Sequence, residues 1–332
     1  MKAVWPAVVP APSIRVCECW PRDGLQSWPT VIGTERKAEL IRRVRAAGVR
    51  EVDVTSLVPP KLLPQFADAE QLLEQLGDCD LHGRVLAPNL KGVERAADLA
   101  ARFPVVQTVG FPISASEQHN LANVRTTHEE RLDEMEKMVA QVHEAGLQAL
   151  VAVATSYGCP LVGEVPEDTV FAIVERLVDL GVDRMMLSDT TGLADPVTVA
   201  AYTQRMRAEH AHVDLIAHFH DTRGTGLVNT WAAVSAGATC VDSCLGGVGG
   251  EPATIEQNHA GETGNVSTED LVVLLERSGI STGVDIDALM AAGRFAEAAL
   301  GSQGRSQVLR TGPGFGNQPP SAPDSGKGSA RT

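Results

Sequence analysis

The sequence predicts an α/β protein whose parallel strands close into a (β/α)8 TIM barrel, with a short helical extension at the C-terminus. The first observation is a repeated phrase, in which an amphipathic run ends in a glycine and an apolar residue before a short strand. Each such glycine suits the left-handed position that ends a helix, and the apolar run after it suits a buried parallel strand. The glycines of the repeat are Gly48, Gly146, Gly181 and Gly237.

The second observation is the number of strands. Apolar residues at helical spacing, as at 40–47 and 132–142, separate stretches of strand character. Eight strands that alternate with helices over roughly 250 residues favour a closed barrel over an open sheet. An aromatic content of 4% fits a core of branched aliphatic residues. The predicted strands are 14–19, 51–54, 84–87, 105–109, 150–153, 185–187, 214–219 and 240–242.

One domain is expected over residues 14–305, preceded by an N-terminal extension over 1–13. From about residue 266 the domain continues as the helical extension. There, Ser267 and the acidic residues after it predict a helix that ends at Gly279, and a second helix is predicted over 285–300. Residues 306–332 are rich in glycine, proline and serine, and we interpret them as a disordered tail.

The composition excludes several classes of partner. The formal net charge of -14 disfavours phosphate backbones and anionic lipid, so we expect no nucleic acid and no membrane partner. No apolar run reaches about 18 residues, and prolines interrupt the apolar N-terminus, so neither a membrane span nor a signal peptide is predicted. Six cysteines without CxxC spacing fit a reduced, cytoplasmic protein.

Ionisable residues gather behind the predicted strands, where the active site of such a barrel lies. His218 and His220 are two residues apart on the seventh strand, so both rings project to the same face. They could simply hydrogen-bond, or as neutral imidazoles they could share a metal ion with Asp23, which follows the first strand. Mixed oxygen and nitrogen ligation with open positions favours Mg, Mn or another first-row divalent ion over structural zinc.

Other polar residues near the predicted site allow two interpretations each. Arg22 either forms an ordinary ion pair with its neighbour or stabilises an oxyanion that develops when a carbon–carbon bond breaks. Asp189 ends the sixth strand and could equally be a helix N-cap. Trp20 and Trp28 lie on either side of residues 21–26, the segment that follows the first predicted strand. Their indoles could narrow the pocket or form a stacking platform.

Several ordered motifs extend this picture. They read Pro-Arg-Asp-Gly-Leu-Gln at 21–26, Asp-Thr-Thr-Gly at 189–192, His-Phe-His-Asp-Thr at 218–222 and Gly-Asn-Val-Ser-Thr-Glu-Asp-Leu-Val at 264–272. With these motifs the chain resembles the hydroxymethylglutaryl-CoA lyases, part of a wider group of metal-dependent lyase and synthase barrels that includes isopropylmalate synthase. The likeness runs from about residue 14 to residue 305.

The resemblance implies a carbon–carbon lyase that uses Mg or Mn and forms a homodimer. Its substrate would be hydroxymethylglutaryl-CoA or a related 3-hydroxyacyl thioester, cleaved by retro-Claisen or retro-aldol chemistry to acetyl-CoA and a keto acid. By position it implies metal ligation by Asp23, His218, His220 and Asn265. It implies catalytic roles for Arg22, as enolate stabiliser, and for Asp53, where these lyases usually have Glu. It places Gln26, Asp189 and Thr190 in the substrate site.

The loop after the eighth strand departs from the family pattern. These lyases carry roughly Gly-x-Gly-Gly-Cys-Pro there, with a cysteine that takes part in proton transfer, whereas residues 247–252 read Gly-Val-Gly-Gly-Glu-Pro. We expect Glu251 to replace this cysteine as a catalytic acid or base, since a carboxyl group in a dry site can donate a proton. A solvated surface glutamate is the alternative, and His259 and Glu262 are further acids in the same loop.

Two other functions stay open. A synthase or aldolase acting on a different acyl or free-acid substrate would suit a loop glutamate, although the long regulatory domain of many such synthases is absent from this sequence. A catalytically inactive barrel that serves as a binding or scaffold subunit is the third possibility. The complete set of four predicted metal ligands argues against it.

Overall fold

In the computed structural model, which describes residues 13–250 and 264–314, eight parallel strands close into a barrel in the order in which they follow one another along the chain. The barrel closes where the first strand pairs with the eighth. The predicted fold is confirmed, and every predicted strand is present. The strands are β1 Arg15–Glu18, β2 Glu51–Ser56, β3 His82–Leu86, β4 Val106–Ser114, β5 Gln148–Ala154, β6 Arg184–Asp189, β7 Asp214–Phe219 and β8 Cys240–Ser243.

Helices cover the outside of the barrel and form the predicted C-terminal extension. Among the described residues, none of them is long and apolar enough to cross a membrane. The helices between strands are α1 Thr34–Ala46, α2 Ala69–Leu76, α3 Leu90–Ala100, α4 Glu117–Asn123, α5 His128–Glu144, α6 Glu167–Asp179, α7 Pro196–Glu209 and α8 Gly226–Ala236. The extension contains α9 Thr268–Arg277, α10 Ile286–Leu300 and α11 Gln307–Thr311.

The repeated helix-ending glycines have the predicted backbone conformation. All four have positive φ angles, 107° at Gly48, 72° at Gly146, 80° at Gly181 and 111° at Gly237. Side chains other than hydrogen are strained at such angles, so glycine is the residue that lets each helix end and the next strand begin within a few residues. The strands that follow Gly48 and Gly181 are buried along their whole length.

Side chains of each strand point alternately to the helices and to the barrel axis. The outward set belongs to the main hydrophobic core, as Val52, Val54 and Val151 illustrate. The inward set includes a separate apolar cluster formed by Cys17, Cys19, Leu150, Met186, Ile216 and Cys240. Cys17 and Cys19 are fully buried there, as filler rather than as exposed thiols.

Charged side chains also fill the barrel interior. Arg84 on β3 donates hydrogen bonds to Glu51 on β2 and, over 2.7 Å, to Asp242 on β8. Arg184 on β6 lies 2.6 Å from Glu51 and donates over 2.8 Å to Asp214 on β7. Because an unpaired buried charge is very unfavourable, these pairs let strands on different sides of the barrel share one polar interior.

The predicted boundary of the tail is wrong for residues 306–314, which are ordered and include α11. Ser306 begins this helix and accepts a hydrogen bond from the backbone of Leu309 over 3.1 Å. Asp270 on α9 accepts from Gln307 and Val308 over 2.9 and 2.7 Å. A five-residue helix is unstable alone, so this tertiary partner stabilises it, and local composition does not reveal that. Residues 1–12 and 315–332 lie outside the described residues.

Candidate metal centre and active site

Three of the predicted metal ligands meet at the C-terminal mouth of the barrel. His218 is on β7, and His220 is the first residue after this strand. Asp23 belongs to a short π-helical turn, Trp20–Gly24, after β1. One ligand atom from each lies within 4.8 Å of the others. Nε2 of His220 is 3.7 Å from Oδ2 of Asp23, and all three side chains are buried. The structure therefore brings together residues that the sequence separates by nearly 200 positions.

Hydrogen bonds set the orientation of both imidazole rings. Nδ1 of His220 donates over 2.6 Å to the carbonyl of Thr190, which can only accept. Nδ1 of His218 lies 3.2 Å from Oδ2 of Asp242. Burial raises the pKa of the Asp242 carboxyl group, but Arg84 and His218 outweigh this and hold the pKa below its usual range. An ionised carboxylate accepts, so both rings carry their proton on Nδ1 and turn the lone pair of Nε2 toward the site.

The donor set fits a divalent cation. Nε2 of His220 is buried, has no hydrogen-bond partner and lies 3.7 Å from Oδ2 of Asp23, so both atoms are available to one ion. Burial raises the pKa of Asp23, but the charge of Arg22 and the two histidines hold it well below its usual range. Two imidazole nitrogens and one carboxylate would occupy three positions around such an ion and leave further coordination positions open.

Asn265 reaches the same site from the segment before α9. Its backbone pairs with His220, and its Nδ2 donates to Oδ2 of Asp23 over 2.6 Å and to the carbonyl of Val248 over 3.1 Å. The amide nitrogen thus faces the carboxylate, whereas a metal ligand would present Oδ1. The location of Asn265 agrees with the predicted role, and ligation itself stays a prediction.

Arg22 lies between two carboxylates. Its Nη1 donates to Asp23 over 2.7 Å, and its Nε donates to Asp53 over 2.6 Å. Burial lowers the pKa of Arg22, but the carboxylates of Asp53 and Asp23 outweigh burial. The pKa is therefore raised above the usual value of arginine, and the guanidinium stays charged. Burial raises the pKa of Asp53, and Arg22 offsets this only in part. Gln26 accepts from Nη1 of Arg22 over 3.3 Å and so lies at the edge of the same group.

A cavity of about 40 Å³ opens beside Arg22 and Asp53 inside the barrel mouth. Two larger cavities, of about 580 and 590 Å³, are not lined by His218 or His220. One is a surface groove next to the start of α1, and the other lies at the opposite end of the barrel near Arg15 and His82. We place the active site at the small cavity, because it is lined by the charged Arg22 and by Asp53, whose pKa is raised, and Arg22 connects it to the histidine cluster through Asp23.

The sequence matches the HMGL-like family over residues 13–296. The chain belongs to this family. An (R)-citramalyl-CoA lyase of Chloroflexus aurantiacus is 35% identical over 312 residues, which cover 91% of this chain and 95% of that protein. A hydroxymethylglutaryl-CoA lyase of Bacillus subtilis is 32% identical over 298 residues, covering 90% and 96%.

Solved structures agree. An HMG-CoA lyase from Acinetobacter baumannii, in complex with coenzyme A and 3-methylmalate, has a TM-score of 0.83 and 36% identity, covering 93% of this chain and 98% of its own. The protein is a carbon–carbon lyase of this family, whose members depend on a divalent metal ion. The sequence-based assignment of family, fold and enzyme class is confirmed.

Two predicted substrate residues of this lyase direct their polar groups to the protein itself. Asp189 accepts from the backbone of Leu193 over 2.7 Å and of Ala194 over 3.1 Å, so it caps the loop between β6 and α7. The hydroxyl of Thr190 accepts from the backbone of Thr155 over 2.8 Å, and its carbonyl orients His220. Substrate contact by either residue stays a prediction. Glu251, His259 and Glu262 lie outside the described residues.

The loop that approaches the metal ligands requires glycine. A Cβ atom on Gly249 would lie 2.6 Å from the carbonyl of Asp23 and 2.8 Å from Nδ2 of Asn265, and its φ is +99°. Earlier in this loop Gly246 accepts from the backbone of Arg305 over 2.6 Å. The C-terminal segment thus packs directly on the turn that leads to the active site of the lyase.

Two buried carboxyl groups accept hydrogen bonds from the backbone of this turn, at Leu245 and Gly246. Glu18 accepts from the backbone of Trp20 and Leu245, over 2.8 and 2.9 Å, and from the hydroxyl of Thr268 over 2.7 Å. Glu269 accepts from the backbone of Gly246 over 3.1 Å. Burial raises the pKa of Glu18 to about 8 and that of Glu269 to about 7.

Two residues that support the site, Asp242 and Arg84, were not predicted from the sequence, and the predicted position of Trp20 at the pocket is wrong. Asp242 and Arg84 lie inside predicted strands, and a charged residue within an otherwise buried strand was the available signal. Trp20 was expected to border the pocket, but its side chain, at the start of the π-helical turn, is completely buried in the hydrophobic core. Trp28 is partly buried and packs against the same core.

Proposed function

We propose that this lyase cleaves the CoA thioester of a 3-hydroxy acid, such as hydroxymethylglutaryl-CoA or citramalyl-CoA, to acetyl-CoA and a keto acid. Relatives with those substrate names align along about nine-tenths of the chain. The observation that carries the proposal is the unpartnered Nε2 of His220 beside Asp23 and His218, at the same barrel mouth as Arg22 and Asp53.

The reaction moves one proton and breaks one bond. The bond between the hydroxyl-bearing carbon and the carbon next to the thioester opens, the hydroxyl group loses its proton and becomes the keto group, and the thioester fragment gains a proton to become acetyl-CoA. A divalent cation, which we propose is Mg or Mn, supplies Lewis acidity toward the substrate oxygens when bound.

The residues divide this work by their chemistry. Asp23, His218, His220 and Asn265 would hold the cation. The permanently charged Arg22 stabilises negative charge on the thioester oxygen as the bond opens. Asp53, whose pKa is raised, exchanges the hydroxyl proton, and Gln26 holds Arg22 from the other side. For Glu251 the proposal that it protonates the product carbon rests on the sequence, and Glu251→Gln should then abolish turnover.

The test incubates the purified protein with Mg or Mn and either CoA thioester, and measures acetyl-CoA and the keto acid. His220→Ala should abolish turnover, whereas His212→Ala, which removes an exposed histidine, should leave it unchanged. Absence of acetyl-CoA from both substrates would refute the proposed substrate class. The homodimer and the cytoplasmic location predicted from the sequence remain proposals, and light scattering of the purified protein tests the first.

A further inference from the structure

One side of the barrel mouth is apolar and partly open. Leu86 on β3, Gly110 and Pro112 on β4 and Ala152 on β5 are partly exposed, although the residues between them are buried in the outer core. Because neighbours on a strand face opposite sides, the exposed surface of these four faces the barrel axis. Together with Met186 on β6 they line the cavity beside Arg22 and Asp53. We call these five residues the alkyl wall.

The charged groups that border this cavity are already paired. Arg22 is bound to Asp53 and Asp23, and Arg84 is bound to Glu51 and Asp242. The remaining nitrogen of Arg84, Nη2, donates to the sulfur of Cys240 over 3.4 Å. The carboxylates of the protein already compensate the charge of both cations in the lining of this cavity, so burying a further carboxylate against the alkyl wall would be unfavourable.

We propose that the alkyl wall binds an uncharged alkyl group of two or three carbons on the hydroxyl-bearing carbon of the substrate. The cavity of about 40 Å³ holds about three water-sized groups, which is more than one methyl group needs. This inference rests on the proposed function and narrows its substrate class to 3-hydroxyacyl-CoA thioesters with an ethyl or propyl substituent. Their cleavage gives acetyl-CoA and a keto acid with the same alkyl chain.

Gly110 offers a way to shorten the cavity by one carbon. A Cβ atom built there would lie 3.6 Å from Cδ2 of Leu150, an ordinary contact, and no positive φ strains the position. Gly110→Ala should therefore fold normally and occupy space that the alkyl group would use. Gly33→Ala is the matched control, since a Cβ atom on Gly33 meets nothing within 4 Å and Gly33 lies outside this cavity.

The experiment measures binding of pyruvate, 2-oxobutanoate, 2-oxopentanoate and 2-oxohexanoate to the full-length protein loaded with Mn, by calorimetry. In the unaltered protein Kd should fall about fourfold for each added carbon up to the three-carbon chain of 2-oxopentanoate and then stop falling. In Gly110→Ala the fall should stop one carbon earlier, and in Gly33→Ala the series should be unchanged.

A flat series, no binding of any keto acid, or an equal loss for all four in Gly110→Ala would overturn the inference. These results are distinguishable from failure of the proposed function, because keto acid binding is measured without turnover of a thioester. If the graded binding is found but neither methyl-bearing thioester yields acetyl-CoA, the proposed substrates are wrong and the alkyl wall stands. If those thioesters are cleaved while the keto acid series is flat, only the alkyl wall is wrong.

Discussion

Asp242 accepts a hydrogen bond from Nδ1 of His218 at 3.2 Å, and its other oxygen is bound to Arg84 at 2.7 Å. The carboxylate thus joins a predicted metal ligand to a cation deep in the barrel. It fixes the imidazole tautomer that leaves Nε2 available and increases the basicity of that nitrogen. Asp242 is buried and contacts the site through Nδ1 of His218, so we expect its effect on catalysis to pass through that ring.

Removing this carboxylate should weaken metal binding. We expect Asp242→Asn to lower Mn affinity about 10- to 100-fold, as is typical when the hydrogen-bond partner of a metal-ligating histidine is lost. Calorimetric titration of the metal-free protein with Mn checks this without any substrate. Asp287→Asn, at an exposed position on α10, is the control. Equal Mn affinity in Asp242→Asn and the unaltered protein would contradict the prediction.

Arg22 should matter for the chemical step more than for metal binding. Arg22→Lys keeps a positive charge but loses the planar fork that reaches Asp23 and Asp53 together. We expect kcat to fall about 10²- to 10³-fold, the usual effect of losing a donor to developing negative charge. Mn affinity, measured in parallel, should change much less. A variant with normal kcat would exclude Arg22 from the reaction.

The stability of the lyase should fall as pH rises through 8. The pKa of Glu18 is about 8 in the folded protein against 4.5 for an ordinary glutamate, so folding takes up a proton between these values. The stabilisation is complete below pH 4.5, declines as pH rises, and is lost above about 8. Glu269, with a folded pKa of about 7, acts in the same direction.

Glu18→Gln isolates this effect. Its amide oxygen can accept from the backbone of Trp20 and Leu245, and its nitrogen can donate to Thr268, so the fold should be kept. Melting temperatures between pH 6 and 9 should fall less steeply in Glu18→Gln than in the unaltered protein, and the variant should be the more stable at pH 9. Glu35→Gln, at an exposed position on α1, should reproduce the unaltered profile. Parallel profiles for all three proteins would show that Glu18 is ionised throughout.

The C-terminal segment should influence the active site through Gly304. A Cβ atom there would lie 2.5 Å from the carbonyl oxygen of Gly246 and 2.6 Å from its Cα. We expect Gly304→Ala to lower the free energy of unfolding by about 1–3 kcal/mol, as overpacking does, and to lower kcat/KM because the turn that leads to Gly249 must shift. Denaturant titration and steady-state kinetics measure the two effects, with Gly33→Ala as control. A variant with unchanged kcat/KM would show that the turn is independent of the segment.

The sequence predicts those features that local pattern determines. Helix-ending glycines followed by apolar runs locate the strands, and two histidines two residues apart on a strand must share a face whatever surrounds them. Once the strands are ordered in a barrel, Asp23 and the histidines have to meet at its mouth. For this reason the fold, the enzyme class and the grouping of the metal ligands follow from the sequence and the family resemblance.

The partners of those residues depend on closure of the barrel. Asp242 could serve His218, Arg84 or neither until β3, β7 and β8 are placed around one axis. Asp189 has an acidic side chain at the end of β6, where a site residue is expected. Its carboxylate, however, accepts hydrogen bonds from the loop that follows it. The helix α11 forms because Asp270 on α9 caps it, a contact between segments 36–38 residues apart. Such choices are decided by tertiary geometry and leave little trace in local sequence.

The buried pairing of Arg84 also bears on how the barrel assembles. A one-residue slip of β3 along its neighbours would turn Arg84 outward into the apolar layer beneath the helices and bring Val85 to the axis. Asp242 would then remain buried without its cation and Glu51 would keep Arg184 as its only buried arginine partner, which is unfavourable. A purely aliphatic interior would distinguish the two alignments weakly, since it would exchange one apolar side chain for another. The buried ion pairs of the barrel therefore favour the observed register of β3 over a shifted one when the protein folds.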